Sequence, residues 1–427
     1  MSHLTNPYKD DIDFSALALQ DADFAKVLKP NGQLDFTNPA SVQQLTKSLL
    51  KRDFGVVVEL SGERLCPPVP NRLNYLLWIQ DLLSTTSEGF TDEFDPSREV
   101  VGMDVGTGSC CIYPLLACSK CPGWKFVATD IDELSLQFAK GNVERNGFGE
   151  RIRMVNTVGE EGLFPLDRLG VESLNFTICN PPFYASKSEM LASASLKQRQ
   201  PFTACTGSES EMVTPGGEVA FVSRMITESL QLRERVRWYS SMLGIFASVT
   251  KVVERLKEEG IQNFAVTEFV QGRKTRRWGV AWSFGDWRPR MEVARGVAGL
   301  SRALLPFPCE YYVMLGNGVD SQKAGQHVND IISKLPMRWM WKASILTGLG
   351  FAQKAVWSRA ARRNTARSED TKMDEDVDEA ALGVKIYCGE VVEGEVLRRV
   401  TIRWVKGVDS VLFESFCGMV KRKLDEL

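Results

Sequence analysis

The chain has 427 residues, of which 44% are hydrophobic and 25% are charged, as in an ordinary globular protein with room for two or three domains. Its formal net charge of -2 excludes a basic field over the whole molecule, so a polyanionic partner must be met by local patches. The chain has 2 histidines, and this scarcity argues against hydrolases that depend on an imidazole base.

The residue types also limit location and metal binding. No run of about eighteen apolar residues occurs, and the residues from Met1 to Asp11 lack the basic and apolar regions of a signal peptide. We therefore expect an intracellular protein without a membrane span, with its 10 cysteines mostly present as free thiols. Cys118 and Cys121 have the spacing of a zinc site, but no second Cys/His pair matches them, so no metal is expected.

The N-terminal part contains two predicted helices and a strand. One helix begins at Asn38-Pro39, the segment from Phe54 to Leu60 is predicted to be a strand, and the second helix spans Asn71 to Leu83. Arg72 lies in the first turn of the second helix, where a bound anion would be stabilised. An ordinary surface arginine is the alternative.

A glycine turn follows the next predicted strand, Val100 to Val105. This strand leads into Asp104-Val105-Gly106-Thr107-Gly108-Ser109 and then into an apolar helix. Gly106 and Gly108 permit a tight turn and a close approach of the backbone to a ligand at the helix N-terminus. Cys111 stands at the third glycine position of a dinucleotide fingerprint, and no P-loop Gly-Lys-Ser/Thr follows. The pattern therefore favours a ligand with a cationic amino-acid end and no pyrophosphate, namely S-adenosylmethionine.

Two further predicted strands, Trp124 to Thr129 and Arg151 to Asn156, come next. The first ends at Asp130, whose carboxylate is placed to accept hydrogen bonds from both hydroxyls of an adenosine ribose. The alternative is that Asp130, like Asp132, caps the following helix. We favour the ribose because Asp130 comes directly after the unit with the glycine turn.

The fourth predicted strand, Leu174 to Cys179, stops at Asn180-Pro181-Pro182-Phe183 because proline cannot continue the ladder. Asn180 is thus placed at the carboxyl end of a strand, where open α/β sheets bind ligands. The Asn180 amide oxygen and the Pro181 carbonyl are suited to accept the two N–H bonds of an exocyclic amine, while Phe183 offers a face for stacking. A plain Asn-Pro turn is the alternative.

Two basic segments follow. Residues 184–216 form a long polar loop that contains Lys197 and Arg199, and we interpret it as a substrate loop. Two later strands are joined by a turn whose cations would hold phosphates, although a solvated turn is the alternative. These cations are Arg273, Lys274, Arg276 and Arg277. Together the elements predict an α/β fold with a seven-stranded, mostly parallel sheet and one antiparallel edge strand.

From Arg288 the pattern changes to that of a smaller C-terminal α+β domain. Its segment Arg338-Trp339-Met340-Trp341-Lys342 is a basic and aromatic cluster of the kind that binds unpaired nucleic acid. A block of opposite charges predicts a disordered loop near residues 364–382.

Several motifs within residues 5–286 resemble those of a known family. The glycine turn from Asp104 to Gly108, combined with Asn180-Pro181-Pro182-Phe183, resembles N6-adenine methyltransferases. Further segments resemble the family of U6 snRNA adenosine methyltransferases, to which bacterial ribosomal RNA adenine methyltransferases are more distantly related. These segments are Pro70-x-Arg72-Leu73-Asn74-Tyr75, Cys111-Ile112-Tyr113-Pro114-Leu115-Leu116, Arg237-Trp238-Tyr239-Ser240-x-Met242-Leu243-Gly244 and Trp278-x-x-Ala281-Trp282-Ser283-Phe284.

The resemblance implies a Rossmann-like class I methyltransferase sheet, S-adenosylmethionine as cofactor, a structured RNA substrate such as U6 snRNA, and a nuclear location with the cytoplasm as a second compartment. Lys197, Arg199 and the segment Gln271 to Trp278 would contact the RNA. Cys110 departs from the small polar residue of the family, and Asp130 stands where relatives also use glutamate. The implied cofactor contacts are Arg72, Asp104, Gly106, Gly108, Cys110, Asp130 and Asn180.

The predicted organisation is an N-terminal lid over RNA and cofactor (residues 1–92), a methyltransferase core (93–287) and an RNA-binding domain (288–427). The predicted reaction is direct displacement, in which Asn180 and Pro181 aim the amine at a sulfonium methyl group and Phe183 stacks the flipped base. Two alternatives stay open. A protein glutamine methyltransferase uses a similar Asn-Pro-Pro-aromatic site but would not need the basic segments, and a catalytically silent scaffold would bind RNA without a cofactor.

Overall fold

The computed structural model describes residues 6–157, 162–190, 207–271, 275–316, 319–358, 377–393 and 395–427. The chain divides into two compact units, and neither is a continuous stretch of sequence. The first unit comprises Met1–Ser84, Glu93–Phe284 and Arg295–Leu305, and the second comprises Thr85–Asp92, Gly285–Ala294 and Pro306–Leu427. This division differs from the boundaries expected after residues 92 and 287, because short segments beside each boundary belong to the other unit.

The first unit alternates strands and helices over most of its length. Its helices are α1 (Phe14–Gln20), α2 (Ala22–Ala25), α3 (Pro39–Phe54), α4 (Val69–Thr85), α5 (Ile112–Lys120), α6 (Glu133–Arg145), α7 (Leu166–Leu169), α8 (Glu209–Met212), α9 (Gly217–Leu232) and α10 (Phe246–Glu258). Its strands are β1 (Val100–Val105), β2 (Trp124–Asp130), β3 (Ile152–Asn156), β4 (Leu174–Cys179), β5 (Val236–Leu243), β6 (Asn263–Gln271), β7 (Thr275–Ser283) and β8 (Arg295–Gly296).

The strands form one sheet in the order β3-β2-β1-β4-β5-β7-β6-β8. Strands β1 to β5 pair in parallel, whereas β7 is antiparallel to β5 and β6. The predicted α/β fold with a mostly parallel sheet is confirmed. The predicted strand count was wrong, because Arg295 and Gly296 add a short eighth strand beside Val266 and Thr267. The antiparallel strand is also not at the edge, because β7 lies between β5 and β6.

The main hydrophobic core lies between this sheet and the helices α9 and α10. Val222 and Met225 of α9 and Val249 and Val252 of α10 are fully buried in it. Both helices pack on β5, and α10 also packs on β7. A buried side chain of this size contributes about 1.5–3 kcal/mol relative to exposure, so this packing holds the sheet that positions the site.

One predicted strand is absent. Phe54 is the last residue of α3, and the chain that follows is extended without pairing to a strand. The Val57 N–H donates to Oδ1 of Asn146 at 2.8 Å, and the Glu59 N–H donates to Oδ1 of Asn142 at 2.7 Å. Side chains of asparagines on and just after α6 therefore accept hydrogen bonds from backbone N–H groups that would otherwise need a neighbouring strand as partner.

The second unit is a smaller α+β domain, as predicted. Its antiparallel sheet has five strands, in the order 338–342, 347–352, 382–393, 395–406 and 310–314. The helix Ser321–Ile332 packs against the strands 382–393 and 395–406 and against the helix Ser410–Leu424. The predicted loop near residues 364–382 lies mostly outside the described residues. The elements are β9 (Glu310–Met314), β10 (Arg338–Lys342), β11 (Thr347–Ala352), β12 (Leu382–Glu393), β13 (Glu395–Lys406), α11 (Met291–Ala294), α12 (Ser321–Ile332) and α13 (Ser410–Leu424).

The two tryptophans of the predicted nucleic-acid cluster are half-buried and pack against α12. Trp339 Nε1 donates to Oδ1 of Asn329 on α12 at 2.9 Å. Trp341 lies within 3.3 Å of the position that a Cβ atom on Gly325 of α12 would occupy. The tryptophans thus contribute to helix packing and also stack on each other, with ring centroids 6.1 Å apart. Binding of unpaired nucleic acid by this cluster stays a prediction. Strand alternation leaves the side chains of Arg338, Met340 and Lys342 exposed.

A segment from the N-terminal half completes the second unit. Asp92 accepts a hydrogen bond of 2.8 Å from Lys385 Nζ and forms an ion pair with Arg403, whose side chain is 2% exposed. The ring of Phe90 packs on Phe351 with the centroids 5.2 Å apart. The inserted segment Thr85–Asp92 is therefore part of the core of this unit. Across the described ranges, no helix is both long enough and apolar enough to cross a membrane.

Candidate functional site

Three parallel strands of the first unit end at one cavity. Val105 of β1 pairs in register with Thr129 of β2 and with Cys179 of β4, so the residues that follow the three strands lie side by side. The cavity at this edge of the sheet is also lined by the start of α4 and by the segment around α8. The structure thus brings together most of the residues predicted for cofactor and amine, which are Arg72, Gly106, Gly108, Cys110, Asp130, Asn180, Pro181 and Pro182.

The glycine turn forms the floor of the cavity. Gly106 and Gly108 have φ values of 73° and 64°, which favour glycine. The N–H groups of Gly106 and Thr107 both donate to the carbonyl of Thr129 at 2.9 Å, which fixes the turn on the end of β2. The absence of side chains at the two glycines leaves the backbone open to a ligand, as the sequence predicts.

Asp130 is held from two sides by backbone. Its Oδ2 accepts the Gly108 N–H at 2.8 Å, and its Oδ1 accepts the Asp132 N–H at 2.9 Å. Burial raises the pKa of this carboxyl and outweighs the two hydrogen bonds, which lower it. The cap of α6 is Asp132, which accepts the Ser135 N–H at 3.0 Å. Asp130 is therefore oriented towards the cavity and is not the helix cap.

Asp104 is a second carboxyl beneath the cavity. It is 1% exposed, and its Oδ2 accepts a hydrogen bond of 2.7 Å from Thr107 Oγ1. Its Oδ1 is buried and has no hydrogen-bond partner within the described part of the chain. Burial raises the pKa of this carboxyl to about 7. A buried acid with a free acceptor is suited to a nearby cationic group.

Arg72 lies inside the molecule, and the alternative of a surface arginine was wrong. It is 6% exposed, and its Nη1 donates to Oδ1 of Asn180 at 2.9 Å and to the hydroxyl of Tyr113 at 3.3 Å. Within the described ranges no carboxylate forms an ion pair with its guanidinium. Its charge reaches Asp104 and lowers the pKa of that carboxyl, against the larger effect of burial. A buried cation that forms no direct ion pair favours an anionic ligand group in the same cavity.

Phe183 lies beside the cavity, half-buried, and packs against Gly244. The guanidinium carbon of Arg277 is 5.6 Å from the centroid of its ring. Of the other residues predicted to bind RNA, Arg276 is exposed and pairs with Glu268 at 2.9 Å. Lys197, Arg199, Arg273 and Lys274 lie outside the described residues.

Glu211, which was not predicted from the sequence, closes the cavity from the predicted substrate loop. Its Oε2 accepts the N–H of Leu65 at 3.0 Å and the N–H of Ser208 at 2.8 Å, so it ties this loop to the chain that precedes α4. The Ser-x-x-Glu pattern of a capping box, Ser208 to Glu211, was a local signal that could have identified it. Ile131, which is 63% exposed at the cavity mouth, was also missed.

The charges of the cavity fit S-adenosylmethionine. Its carboxylate matches the unpaired guanidinium of Arg72, and its sulfonium and ammonium groups match the carboxyls of Asp104 and Glu211. Its ribose hydroxyls match the oriented oxygens of Asp130. The neutral thiol of Cys110, whose pKa burial raises, lines the same wall.

Comparison with known proteins agrees with this chemistry. Residues 1–286 match a family model described as RNA methyltransferase. The chain belongs to this family of RNA methyltransferases. S-adenosylmethionine is accordingly its methyl donor, and the class I methyltransferase fold expected from the sequence is confirmed.

Several relatives are similar over long stretches. The chain is 36% identical over 400 residues to a U6 small nuclear RNA (adenine-(43)-N(6))-methyltransferase of Schizosaccharomyces pombe, which covers 92% of this chain and 96% of the relative. It is 42% identical over 294 residues to the human RNA N(6)-adenosine-methyltransferase METTL16, but this match spans half of the length of the human protein (50%) and 66% of this chain.

Solved structures of the same RNA methyltransferase family are also similar. The hMettl16 catalytic domain in complex with MAT2A 3'UTR hairpin 1 has a TM-score of 0.58 and 38% identity, and the match covers 66% of this chain and 95% of that one. The N-terminal domain of human METTL16 in complex with SAH has a TM-score of 0.54 and 38% identity, with coverage of 66% and 99%.

Proposed function

We propose that the chain transfers a methyl group from S-adenosylmethionine to N6 of an adenosine in a structured RNA, with U6 snRNA as the principal substrate. The observation that carries the proposal is that Asn180-Pro181-Pro182, the glycine turn and Asp130 line one cavity at the ends of β1, β2 and β4. The similarity to the U6 snRNA methyltransferase of S. pombe over 92% of the chain supports the choice of RNA. A nuclear location, with the cytoplasm as a second compartment, follows from that substrate.

The cofactor residues have separate tasks in this proposal. Asp130 binds the ribose hydroxyls, because both of its oxygens are already fixed by backbone N–H groups. Gly106 and Gly108 let the backbone approach the amino-acid end, and Arg72 binds the cofactor carboxylate. Asp104 acts on the positive end of the ligand from below. Cys110 contributes shape to the wall, since a buried neutral thiol is a weak hydrogen-bond donor.

The acceptor residues work by positioning. When bound, S-adenosylmethionine supplies a methyl group that is electrophilic because it is attached to a sulfonium. The Asn180 oxygen has two lone pairs, and Arg72 occupies one of them, so the other is free to accept an N6 hydrogen. The Pro181 carbonyl accepts the second hydrogen, and Phe183 stacks on the flipped base. Fixing the amine in this way supplies the orientation on which the rate depends.

RNA is held by basic side chains outside the cavity. In this proposal Arg277 and Arg276, with Lys197, Arg199, Arg273 and Lys274, contact the backbone near the target base. The second unit is a further RNA-binding module, and the exposed side chains of Arg338 and Lys342 carry its contacts. The N-terminal part up to residue 84 contributes the lid, since Leu65, Pro67 and Arg72 line the cavity.

The test is a methylation assay with the full chain and S-adenosylmethionine that carries a labelled methyl group. We expect label in U6 snRNA, recovered as N6-methyladenosine after digestion to nucleosides and mass spectrometry. Label that appears instead on a glutamine-containing peptide would favour the protein methyltransferase alternative. RNA binding without label on either substrate would favour the silent scaffold, against which the intact cofactor cavity argues.

A further inference from the structure

One edge of the Phe183 ring packs directly against the backbone of Gly244. Gly244 follows β5, and a Cβ atom at this position would lie 2.8 Å from Cδ1 of Phe183, so glycine is needed to make room for the ring. Glu218 is 2% exposed and holds this wall, because it accepts the N–H of Gly244 at 2.7 Å and the N–H of Ile245 at 3.2 Å. The ring therefore cannot retreat towards β5.

The face of the ring is covered by Arg277, whose guanidinium carbon lies 5.6 Å from the ring centroid. Arg277 precedes Trp278, which pairs with Leu243, so the strand register places it next to Gly244. In the described part of the chain, its guanidinium forms no ion pair and donates to the carbonyl of Arg276 at 2.8 Å. Most of the donors of this guanidinium are therefore available to another acceptor.

A nucleobase on Phe183 would need the same face. Guanidinium planes and nucleobases both stack on aromatic rings, so one excludes the other. Phe183 comes directly after Pro181 and Pro182, and in the proposed function the base whose amine reaches Asn180 stacks on this ring. We propose that Arg277 is a positioning residue that covers Phe183 in the free protein and moves from the ring to an RNA phosphate when the target base enters. This inference rests on the proposed function.

The exchange explains why the protein would act on RNA and discriminate against free adenosine. Cation–π contacts and base stacking have overlapping energies, so replacing one by the other is close to balanced. The displaced guanidinium then gains a charge-assisted contact only if a phosphate lies nearby. An adenosine within an RNA strand brings that phosphate, whereas the free nucleoside does not.

The experiment uses the full chain with S-adenosylhomocysteine bound and compares the affinities for adenosine and for a U6 hairpin. The variants are Arg277→Ala, Arg277→Lys and the control Lys251→Ala, which changes an exposed cation on α10. Arg277→Ala should bind adenosine about tenfold more tightly and the hairpin more weakly. Its slope of log affinity against log salt should flatten by about 0.7–0.9. Arg277→Lys keeps the charge but not the flat stacking group, so it should bind adenosine more tightly with the salt slope of the wild type.

Two results would overturn the proposal. If Arg277 only binds phosphate, adenosine affinity will be the same in all variants. If its role is only structural, both ligands will bind more weakly in Arg277→Ala and in Arg277→Lys. Failure of the wild type to methylate the hairpin is a different result, because it refutes the proposed function and not the stacking of Arg277 on Phe183.

Discussion

The guanidinium of Arg72 donates a hydrogen bond of 2.9 Å to Oδ1 of Asn180. Arg72 therefore touches the residue that we propose to hold the target amine, and it also lies in the cavity that fits the cofactor. Because no carboxylate within the described residues forms a direct ion pair with it, its charge is available to the cofactor carboxylate. In the proposed function the two substrates thus meet at one side chain, and the hydrogen bond from Arg72 orients Asn180.

Replacing Asn180 should separate binding from chemistry. We expect Asn180→Ala to bind S-adenosylmethionine within a few-fold of the wild type, but to transfer the methyl group about 100-fold more slowly because the amine is no longer aimed. Single-turnover transfer to U6 RNA measures this. Asn180→Asp keeps an acceptor for Arg72 and for the amine, so it should retain more activity. A wild-type rate in Asn180→Ala would remove Asn180 from the proposed mechanism.

Asp130 and Asp132 form a matched pair for testing the ribose contact. Asp130→Ala should weaken cofactor binding by roughly 1.5–3 kcal/mol, the range for hydrogen bonds to a charged acceptor. Asp132→Ala removes the cap of α6 but leaves the cavity carboxyl in place, so it should change stability more than affinity. Calorimetry measures the cofactor affinity of both variants. If Asp130→Ala binds the cofactor as tightly as Asp132→Ala does, the role of Asp130 is purely structural.

The buried carboxyl of Asp104 should make cofactor binding depend on pH. Its ionised form attracts the cationic end of the cofactor, so affinity should rise with pH through about 7, the raised pKa of this group. Linkage predicts a gain of about tenfold between pH 6 and pH 8. Titrations over this range should show it, and Asp104→Asn should abolish the dependence. If the cofactor affinity of the wild type does not change with pH, Asp104 stays in one protonation state over this range.

The same pKa has an opposite effect on the stability of the free protein. Because the folded pKa of Asp104 lies above its value of 3.8 in an unfolded chain, the folded state holds the proton more tightly. The contribution of Asp104 to the free energy of unfolding therefore falls as the pH rises from about 4 to about 7. Bound cofactor should weaken this trend, because it favours the ionised carboxyl.

The exposed cations of β10 allow a test of RNA binding by the second unit. Replacing both Arg338 and Lys342 by alanine should flatten the slope of log affinity against log salt by about 0.7–0.9 for each RNA phosphate that the variant no longer binds. The control replaces Lys421 and Arg422, two exposed cations on α13. Identical slopes in the wild type and the β10 variant would direct the search towards a protein partner of this unit.

Asp92 should stabilise the second unit through its ion pair with Arg403. Asp92→Ala leaves a guanidinium that is 2% exposed without its counter-ion, at a cost of about 3–5 kcal/mol. Glu93→Ala, which changes an exposed neighbouring acid, should be nearly neutral. Hydrogen–deuterium exchange in β12 and β13 measures the difference, and equal protection in both variants would contradict it.

The pH dependence of this pair has a defined sign. Burial alone would raise the pKa of Asp92, but the charges and hydrogen bonds of Arg403 and Lys385 outweigh it and lower the pKa below 3.8. The stabilisation is therefore complete above pH 3.8 and is lost as the pH falls through the lower folded pKa.

The features that could be predicted from the sequence are those that a few neighbouring residues determine. Asp104, Gly106 and Asn180 were identified because a strand end, a tight turn and a proline pair can each be recognised within a few residues. The capping box of Glu211 with Ser208 is a local signal, but the contact of Glu211 with Leu65 could not be predicted because the two residues are 146 positions apart. The strand β8 was not predicted because its two residues are too few to show the alternation of apolar and polar side chains that marks a strand. The inward packing of Trp339 depends on Asn329 of a different element, which a cluster of aromatic residues cannot indicate.

The pairing of Asp92 with Arg403 has a consequence for how the protein is made. The two residues are 311 positions apart, so Asp92 leaves the ribosome long before its partner exists. At a synthesis rate of about 5–20 residues per second, the wait is roughly 15–60 s. During that time the acid and the neighbouring Phe90 are without the unit into which they fit. The second unit can close only after β13 has been synthesised, so the nascent chain is open to chaperones and proteases at this segment until then.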